Sequence, residues 1–297
     1  MKVAVVALGG NAILKSNEKG TFRQQLKNID KTVKQLRLLL KKYRIVITHG
    51  NGPQVGNLLL QQEKSKQKIP PMPLDVCDAM TQGQIGYFLQ MSIKNQLKKP
   101  VTTVVTQILV DRKDPAFKKP TKPIGPAYPK KIFKNMMKEE EGWRKVVPSP
   151  KPKKIMEIEG IRNLVEKGVI VIACGGGGIP VVMKEEKLTG IEAVIDKDYA
   201  SQKLATELKA ETLILLTDID YVYLNWREKN ERPLKKITIK EAIKYLKQEH
   251  FKEGSMKPKI EASIDFLKRG GKKVIITELL SLERALKKKA GTIITRY

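Results

Sequence analysis

Patterns of buried strands alternate with helical patterns along the whole chain. Residues 3–8, 45–48 and 169–173 are short apolar runs without polar alternation, which is typical of strands buried on both faces. After Thr21, apolar residues recur at spacings of three and four, which predicts a capped helix with one apolar stripe. Alternating strands and helices of this kind predict an α/β fold with a mainly parallel sheet and helices on both faces.

The same patterns predict the other elements. Helices are expected from Pro53 towards Gln62 and at residues 74–97, 155–167, 198–208, 238–249, 258–268 and 282–288. Strands are expected at residues 102–110, 213–216, 273–277 and 292–294. We expect residues 181–183 and 192–195 to pair as a hairpin, and Asp198 to cap the helix that it opens.

Each of the three buried-strand runs opens directly into a glycine loop. The loop residues of interest are Gly9, Gly10, Asn11, Gly50, Asn51, Gly52, Gly175 and Gly176. Glycine has no Cβ atom, so the backbone N–H groups of such a loop approach an anion closely. One loop of this kind is equally compatible with a tight turn, but three in one chain favour a convergent phosphate site.

Composition narrows the class of protein. The 297 residues suffice for a large core, and no apolar run reaches the roughly 18 residues that span a bilayer. We therefore expect a cytoplasmic protein with no membrane partner.

The net charge of +27 is compatible with nucleic-acid binding, but lysines are spread over nearly every helix and aromatic residues make up only 5%. This distribution favours a solvated lysine-rich surface and predicts no nucleic-acid partner. The two cysteines stand in no metal-like spacing, and the presence of only two histidines argues against a histidine-based metal site.

Residues 111–154 differ from the rest of the chain, because prolines recur there with lysines between them. A long irregular segment inside a compact domain is usually a lid, a protruding subdomain or disordered. Aromatic residues at 117, 128 and 143 favour a small ordered protrusion within a single domain of residues 1–297. We expect this segment to act as a lid, so that its deletion abolishes turnover while nucleotide binding survives.

Two lysines stand in unusual places, whereas the P-loop, dinucleotide-binding and protein-kinase motifs are absent. Lys197 lies between Asp196 and Asp198 just before a predicted helix, and Lys259 follows Pro258 at another. A cation at a helix N-terminus lies at the positive end of the helix dipole, which is unfavourable by roughly 0.3–1 kcal/mol. Either lysine alone is more often a solvated side chain, but the two together favour an anion held between lysine and helix end.

With these segments the chain resembles the carbamate kinases of the amino-acid kinase family over almost its full length. The resemblance rests on the glycine loops and on residues 120–126, 142–150, 194–198 and 254–259. It implies a three-layer αβα sandwich of the amino-acid kinase type, with a small protruding subdomain. It also implies reversible phosphoryl transfer from ATP to carbamate, giving ADP and carbamoyl phosphate, with a place in arginine metabolism. Mg²⁺ would be held mainly by the ATP phosphates, and the apolar stretch 85–97 adds to the expectation of a homodimer.

The resemblance implies roles for individual residues. Lys122, on the protrusion, would reach the transferred phosphoryl group from the substrate side. Lys197 and Lys259 would stabilise phosphate charge in the transition state, and Asp198 would orient the lysines. The glycine-loop residues would supply backbone and amide donors around carbamate and the γ-phosphate. The nucleotide would be bordered by Asp196, Thr217, Asp218, Tyr223, Met256 and Pro258. No protein ligand of a metal is implied.

Two alternatives remain open from the sequence alone. Another member of the family would phosphorylate an acetylglutamate-type substrate, but it would lack the proline-rich protrusion. A basic binding protein without catalytic activity would have no need of Lys122, Lys197 and Lys259.

Overall fold

The structure is a computed structural model that describes residues 1–15, 17–131, 135–139, 142–251 and 254–297. Strands β1 to β17 follow in chain order at Lys2–Leu8, Tyr43–His49, Val101–Thr103, Gln107–Val110, Lys122–Tyr128, Met136–Glu139, Gly142–Val147, Pro152–Ile155, Ile170–Ile172, Ile179–Lys184, Lys187–Gly190, Thr212–Thr217, Val222–Leu224, Arg232–Leu234, Lys236–Thr238, Lys273–Glu278 and Thr292–Thr295. Helices α1 to α8 follow at Phe22–Leu36, Gly52–Ser65, Leu74–Leu97, Ile158–Glu166, Lys197–Glu207, Ile239–Lys247, Met256–Lys268 and Leu282–Leu286.

An eight-stranded sheet forms the middle layer, in the order β15-β17-β16-β12-β1-β2-β9-β3. Neighbouring strands run parallel except for β16 and β17. Alternate side chains of β1 enter two different cores: Val5 and Ala7 pack with α5 and α7, whereas Val6 and Leu8 pack with α1 and α3. Helices therefore cover both faces of the sheet, which confirms the predicted αβα sandwich. Within the described part of the chain, the helices lack the combination of length and apolar character that crossing a membrane requires.

Helix α3 has the bounds that its pattern predicts, but its apolar residues serve the protein's own core. Ile85, Leu89 and Ile93 are fully buried and Phe88 is nearly so, whereas Tyr87 is exposed. Most of the apolar side chains at residues 85–97, which suggested a dimer interface, are therefore already buried in the protein's own core. The homodimer remains a prediction that rests on the family resemblance.

The single strand predicted at residues 102–110 is wrong, because the chain leaves one sheet and enters another there. β3 is the edge strand of the central sheet, and β4 lies in a second sheet of order β11-β10-β4-β8. Between them, the backbone of Thr106 bonds to the Gln82 side chain of α3, with the Thr106 N–H donating at 2.8 Å and the Thr106 oxygen accepting at 3.2 Å. An amide side chain from another helix thus replaces a strand partner, which the local residue pattern does not reveal.

The predicted hairpin has the wrong partner. β10 pairs with β11 across a turn at Glu185 and Glu186, both of which have positive φ, and residues 192–195 form no strand. Because no glycine or asparagine marks this turn, the sequence pattern misplaces it. Val194 instead bonds to the oxygen of Pro148 beside the protrusion.

Two helix starts also differ from prediction. Asp196, not Asp198, caps α5: its side chain accepts from the Asp198 N–H at 2.8 Å. Two aspartates flank Lys197, so residue type alone does not choose between them. The helix predicted from residue 155 begins at Ile158, because Ile155 pairs with Ile108 as the last residue of β8.

Much of the proline-rich segment forms a three-stranded antiparallel sheet of order β5-β7-β6. The sequence predicted no strands at the positions of β5 and β7. Pro123 and Pro126 interrupt the pattern of β5, but an edge strand tolerates proline because its outer N–H groups need no partner. The short periodic stretch near residues 132–138 lies partly outside the described residues.

Candidate active site

The three glycine loops lie side by side, because β1, β2 and β9 are neighbours in the parallel sheet and end at the same edge. The Gly50 N–H donates to the Leu8 oxygen at 3.3 Å, which ties the second loop to the end of β1. A methyl group on Gly176 would lie 2.3 Å from Asn51 Nδ2, so the third loop packs directly against the second. Gly176 also has a φ of +67°, which a side chain at this position would disfavour.

A cavity of about 320 Å³ opens at this edge of the sheet. The predicted site residues in its lining are Gly10, Gly50, Asn51, Gly52, Gly176, Lys122 and Lys197. Its lining also includes Gln54, Glu139 and Arg144, for which the sequence predicted no role. Arg144 stands in the segment 142–150 that carried the family resemblance, so a signal for it was present.

Three lysines from three separate elements meet two buried carboxylates beside the cavity. Lys122 Nζ of β5 lies 2.5 Å from Asp196 Oδ2. Lys197 Nζ of α5 lies 3.0 Å from Asp198 Oδ1, and Lys259 Nζ of α7 lies 3.1 Å from Asp198 Oδ2. Three cations face two anions, so the cluster carries one positive charge in excess and suits a further anion.

Opposite charges in this cluster favour one another's ionised forms and offset the effect of burial on the pKa values. Burial opposes ionisation of Asp196, but Lys122 and Lys197 outweigh it and hold the pKa of the carboxyl below its usual value. Asp198 is held ionised in the same way, with a lowered pKa, because Lys197 and Lys259 outweigh its burial. Burial works against the charge of Lys197, yet Asp198 and Asp196 raise its pKa. Burial lowers the pKa of Lys259, with Asp198 opposing and the Lys197 charge adding to the effect.

The remaining predicted residues lie around this centre. A methyl group on Gly9 would meet the Leu216 oxygen of β12 at 2.7 Å, and Asn11 is exposed in the turn that follows. Outside the cavity lining lie five of the residues predicted to border the nucleotide: Thr217 at the end of β12, Asp218 after it, Tyr223 in β13, and Met256 and Pro258 in the first turn of α7. Asp196, also predicted to border the nucleotide, caps α5 and pairs with Lys122, and its role towards the nucleotide stays a prediction.

The protrusion reaches the cluster by packing tightly on α2. A methyl group on Gly56 of α2 would lie 1.9 Å from the Gly125 Cα of β5, so the two backbones touch. The Arg144 guanidinium donates from Nε and Nη2 to the Gly125 oxygen at 3.0 and 2.8 Å, which ties β7 to the same point. Lys122 lies three residues before Gly125 on the same strand, so this contact positions its ammonium group.

His49 makes stability depend on pH. It is fully buried at the end of β2, and burial lowers its pKa from 6.5 to about 4, although a bond to the Gly50 oxygen opposes the shift. The unfolded chain therefore binds a proton that the folded protein rejects between these two pH values. Stability from neutral His49 is complete above pH 6.5 and is lost as pH falls towards 4, by about 3 kcal/mol in total.

We expect His49→Gln to lose less stability than the wild type over this window, because glutamine does not titrate. Urea unfolding of both proteins at several pH values between 7 and 4 measures the difference. Parallel curves of unfolding free energy against pH would show that His49 does not carry the effect.

Comparison with known proteins decides the family. The model of the amino acid kinase family matches residues 2–278. Carbamate kinase of Thermococcus kodakarensis is 48% identical, with all of both chains covered (100% and 100%). The chain belongs to the carbamate kinase branch of the amino acid kinase family. Carbamate kinase 1 of Enterococcus faecium is also 48% identical, over 99% of each chain. The solved carbamate kinase from Giardia lamblia bound to AMP-PNP is 40% identical, with a TM-score of 0.92, over 99% of this chain and 98% of that one.

Membership of the carbamate kinase branch confirms the resemblance drawn from the motifs, and with it a phosphotransferase enzyme. The matches extend over essentially the whole chain, so they include the protrusion as well as the glycine loops. An acetylglutamate-type kinase and a basic protein without catalysis are both less well supported than a carbamate kinase.

Proposed function

We propose that this kinase transfers a phosphoryl group reversibly between ATP and carbamate, giving ADP and carbamoyl phosphate. The observation that carries the proposal is the cluster of Lys122, Lys197 and Lys259 at the glycine-loop edge of the sheet. It occurs in a chain 48% identical to a carbamate kinase over its full length. ATP is the nucleotide because the similar Giardia enzyme is described as bound to its analogue AMP-PNP.

The reaction needs electrostatic help more than proton transfer. Carbamate is already an anion, so its attacking oxygen requires no general base. The difficulty is that an anion must approach a highly charged triphosphate, and the transition state spreads charge over the equatorial phosphoryl oxygens. Lys197 and Lys259 would stabilise that charge from fixed positions, Asp198 would orient both, and Lys122 would act from the acceptor side.

The glycine loops would complete the phosphate and carbamate environment. Backbone N–H groups of Gly9, Gly10, Gly52, Gly175 and Gly176 would donate to anionic oxygens, whereas the Gly50 N–H is already given to the Leu8 oxygen. Asn11 would donate from its side chain. Asp196, the residues at and just after the end of β12, and those in the first turn of α7 would border the nucleotide, as the family resemblance implies.

Residues 111–154 would act as a lid within a single domain of residues 1–297. Support comes from the ion pair between Lys122 and Asp196, which joins the protrusion to the sandwich, and from a second pair between Lys145 and Glu63 of α2. Closure would bring Lys122 to the reacting groups and exclude water from them.

Mg²⁺ would be held mainly by the nucleotide phosphates and water. Asp196 and Asp198 are engaged by lysines, and Glu139 in the cavity wall is engaged by Arg144. The described residues contain no group of three or more His, Cys, Asp or Glu placed to hold a metal ion. The arrangement fits an ion that arrives with the nucleotide and reduces charge repulsion there. The homodimer, the cytoplasmic location and the place in arginine metabolism are further proposals from the family resemblance.

A coupled assay run in both directions tests the function. We expect ATP formation from ADP and carbamoyl phosphate with Mg²⁺ and, in reverse, consumption of ATP with carbamate but little with acetate or acetylglutamate. Turnover with acetylglutamate and none with carbamate would replace the proposal by the other branch of the family.

A further inference from the structure

Asn51 stands in the cavity wall with its side-chain amide held from behind. It lies between Gly50 and Gly52 at the start of α2 and is 2% exposed. Asn51 Nδ2 donates to Asp78 Oδ1 and to Thr81 Oγ1, both at 2.8 Å. Asp78 and Thr81 belong to α3, are buried and lie outside the cavity lining, so two residues behind the wall fix the amide.

The hydrogen bonds decide which way the amide faces. Asp78 alone leaves the question open, because burial raises the pKa of its carboxyl and a protonated carboxyl also donates. Thr81 settles it: its hydroxyl hydrogen is given to the Asp78 backbone oxygen at 2.8 Å, so Thr81 Oγ1 is left to accept. The group of Asn51 that faces Thr81 must therefore be the NH₂.

Both amide hydrogens are thus committed to α3, and the side chain has only its oxygen left to offer. Gly176 of the third glycine loop packs on the amide as a whole, since a methyl group there would lie 2.3 Å from Asn51 Nδ2 and 2.9 Å from Asn51 Oδ1. Asn51 Oδ1 accepts no hydrogen bond from the residues that the structure describes. Donors predominate in the surrounding wall, where Lys122, Lys197, Arg144 and loop N–H groups lie, and the Glu139 carboxylate is engaged by Arg144.

We propose that Asp78 and Thr81 are positioning residues that turn the Asn51 carbonyl into the cavity, where it accepts an N–H of the carbamate amino group. This inference rests on the proposed function and changes the role expected for Asn51 from a donor to an acceptor. Carbamate has an amino group to donate, whereas acetate of the same shape has a methyl group. Asp78 and Thr81 would thus make the site select a substrate with an amino group, because a site built around a hydrogen bond rejects an analogue that cannot form that bond.

The test is a ratio of kcat/KM values for carbamoyl phosphate and acetyl phosphate, each with ADP. Thr81→Val keeps the shape of the side chain but removes the acceptor that orients Asn51. We expect this variant to lower the ratio by about tenfold, which corresponds to the loss of one hydrogen bond. The fall should come from a lower kcat/KM for carbamoyl phosphate, with that for acetyl phosphate unchanged. Thr81→Ser keeps the hydroxyl and is expected to restore the wild-type ratio. Asp78→Ala is expected to lower the ratio in the same way.

Each other outcome has a definite meaning. An equal fall for both substrates in Thr81→Val, or an unchanged ratio, overturns the inference and leaves the proposed function intact. Gln54 is a second amide in the wall, and its NH₂ group donates to Gln25 at 2.9 Å. A ratio that falls in Gln54→Leu but not in Thr81→Val would assign the role to Gln54 and overturn the inference. A wild-type protein that does not use carbamoyl phosphate overturns the proposed function and this inference with it.

Discussion

Lys197→Ala is expected to lower kcat by roughly 10²–10³, the scale for losing one preorganised donor to a transition state. The Lys197 ammonium lies 3.0 Å from Asp198 Oδ1, and its side chain is only 15% exposed, so its charge is in place before substrate arrives. Charge spreads over the phosphoryl oxygens mainly in the transition state, so a fixed cation acts there more than on the bound nucleotide. The nucleotide KM should therefore change less than kcat. Steady-state kinetics with ADP and carbamoyl phosphate measure both.

Lys259→Ala should behave similarly, and the double variant should be far from additive because Asp198 holds both lysines. Lys197→Arg should not restore activity, since a wide planar group replaces a compact ammonium. Lys203→Ala is the matched control: it lies on the same helix, pairs with Glu207 one turn away and should leave kcat unchanged. Near-normal kcat with a raised nucleotide KM in the test variants would mean that both lysines only bind nucleotide.

Gly56→Ala is expected to lower kcat by about 10²-fold or more while ADP still binds. The new methyl group would lie 1.9 Å from the Gly125 Cα and 2.1 Å from the Gly125 N–H nitrogen, and neither backbone atom can swing aside. β5 must therefore lift from α2 and carry Lys122 away from Asp196. A displacement of about 1 Å in a catalytic group lowers the rate by about 10²-fold. Steady-state kinetics give kcat, and calorimetric titration gives the ADP affinity.

Gly83→Ala controls for a helical glycine-to-alanine change as such. Gly83 lies in α3, and a methyl group added to it would meet no neighbouring atom within 4 Å. Alanine therefore fits there and should stabilise the helix by up to about 1 kcal/mol. Its kcat should equal that of the wild type. Full activity in Gly56→Ala would mean that the protrusion need not dock on α2. Loss of ADP binding together with activity would point instead to general disruption of the fold.

Much of the fold follows from local pattern, because its central strands are buried on both faces. The run at residues 3–8 has no polar alternation, and β1 indeed feeds one core with Val5 and another with Val6. The edge of the sheet where the glycine loops meet was predictable for a related reason, since parallel strands end on the same side. Where a local rule sufficed, as for the cap of α1 by Thr21, prediction and structure agree.

What sequence could not predict are contacts between distant residues. Lys122 and Asp196 are 74 positions apart, and the local sequence around neither residue predicts their ion pair. The break between β3 and β4 depends on Gln82, an amide on another helix. Thr81, which orients Asn51, reads as an ordinary interior residue of α3. In each case a polar side chain satisfies a partner that only the folded chain brings near.

Direct transfer of the phosphoryl group is the central claim, and labelled carbamoyl phosphate tests it most directly. Purified protein is mixed with carbamoyl phosphate labelled with ³²P, ADP and Mg²⁺, and the products are separated by chromatography. We expect the label in the γ-phosphate of ATP, at a rate that Lys197→Ala lowers. Label that appears only as inorganic phosphate, with no ATP formed, would contradict the account.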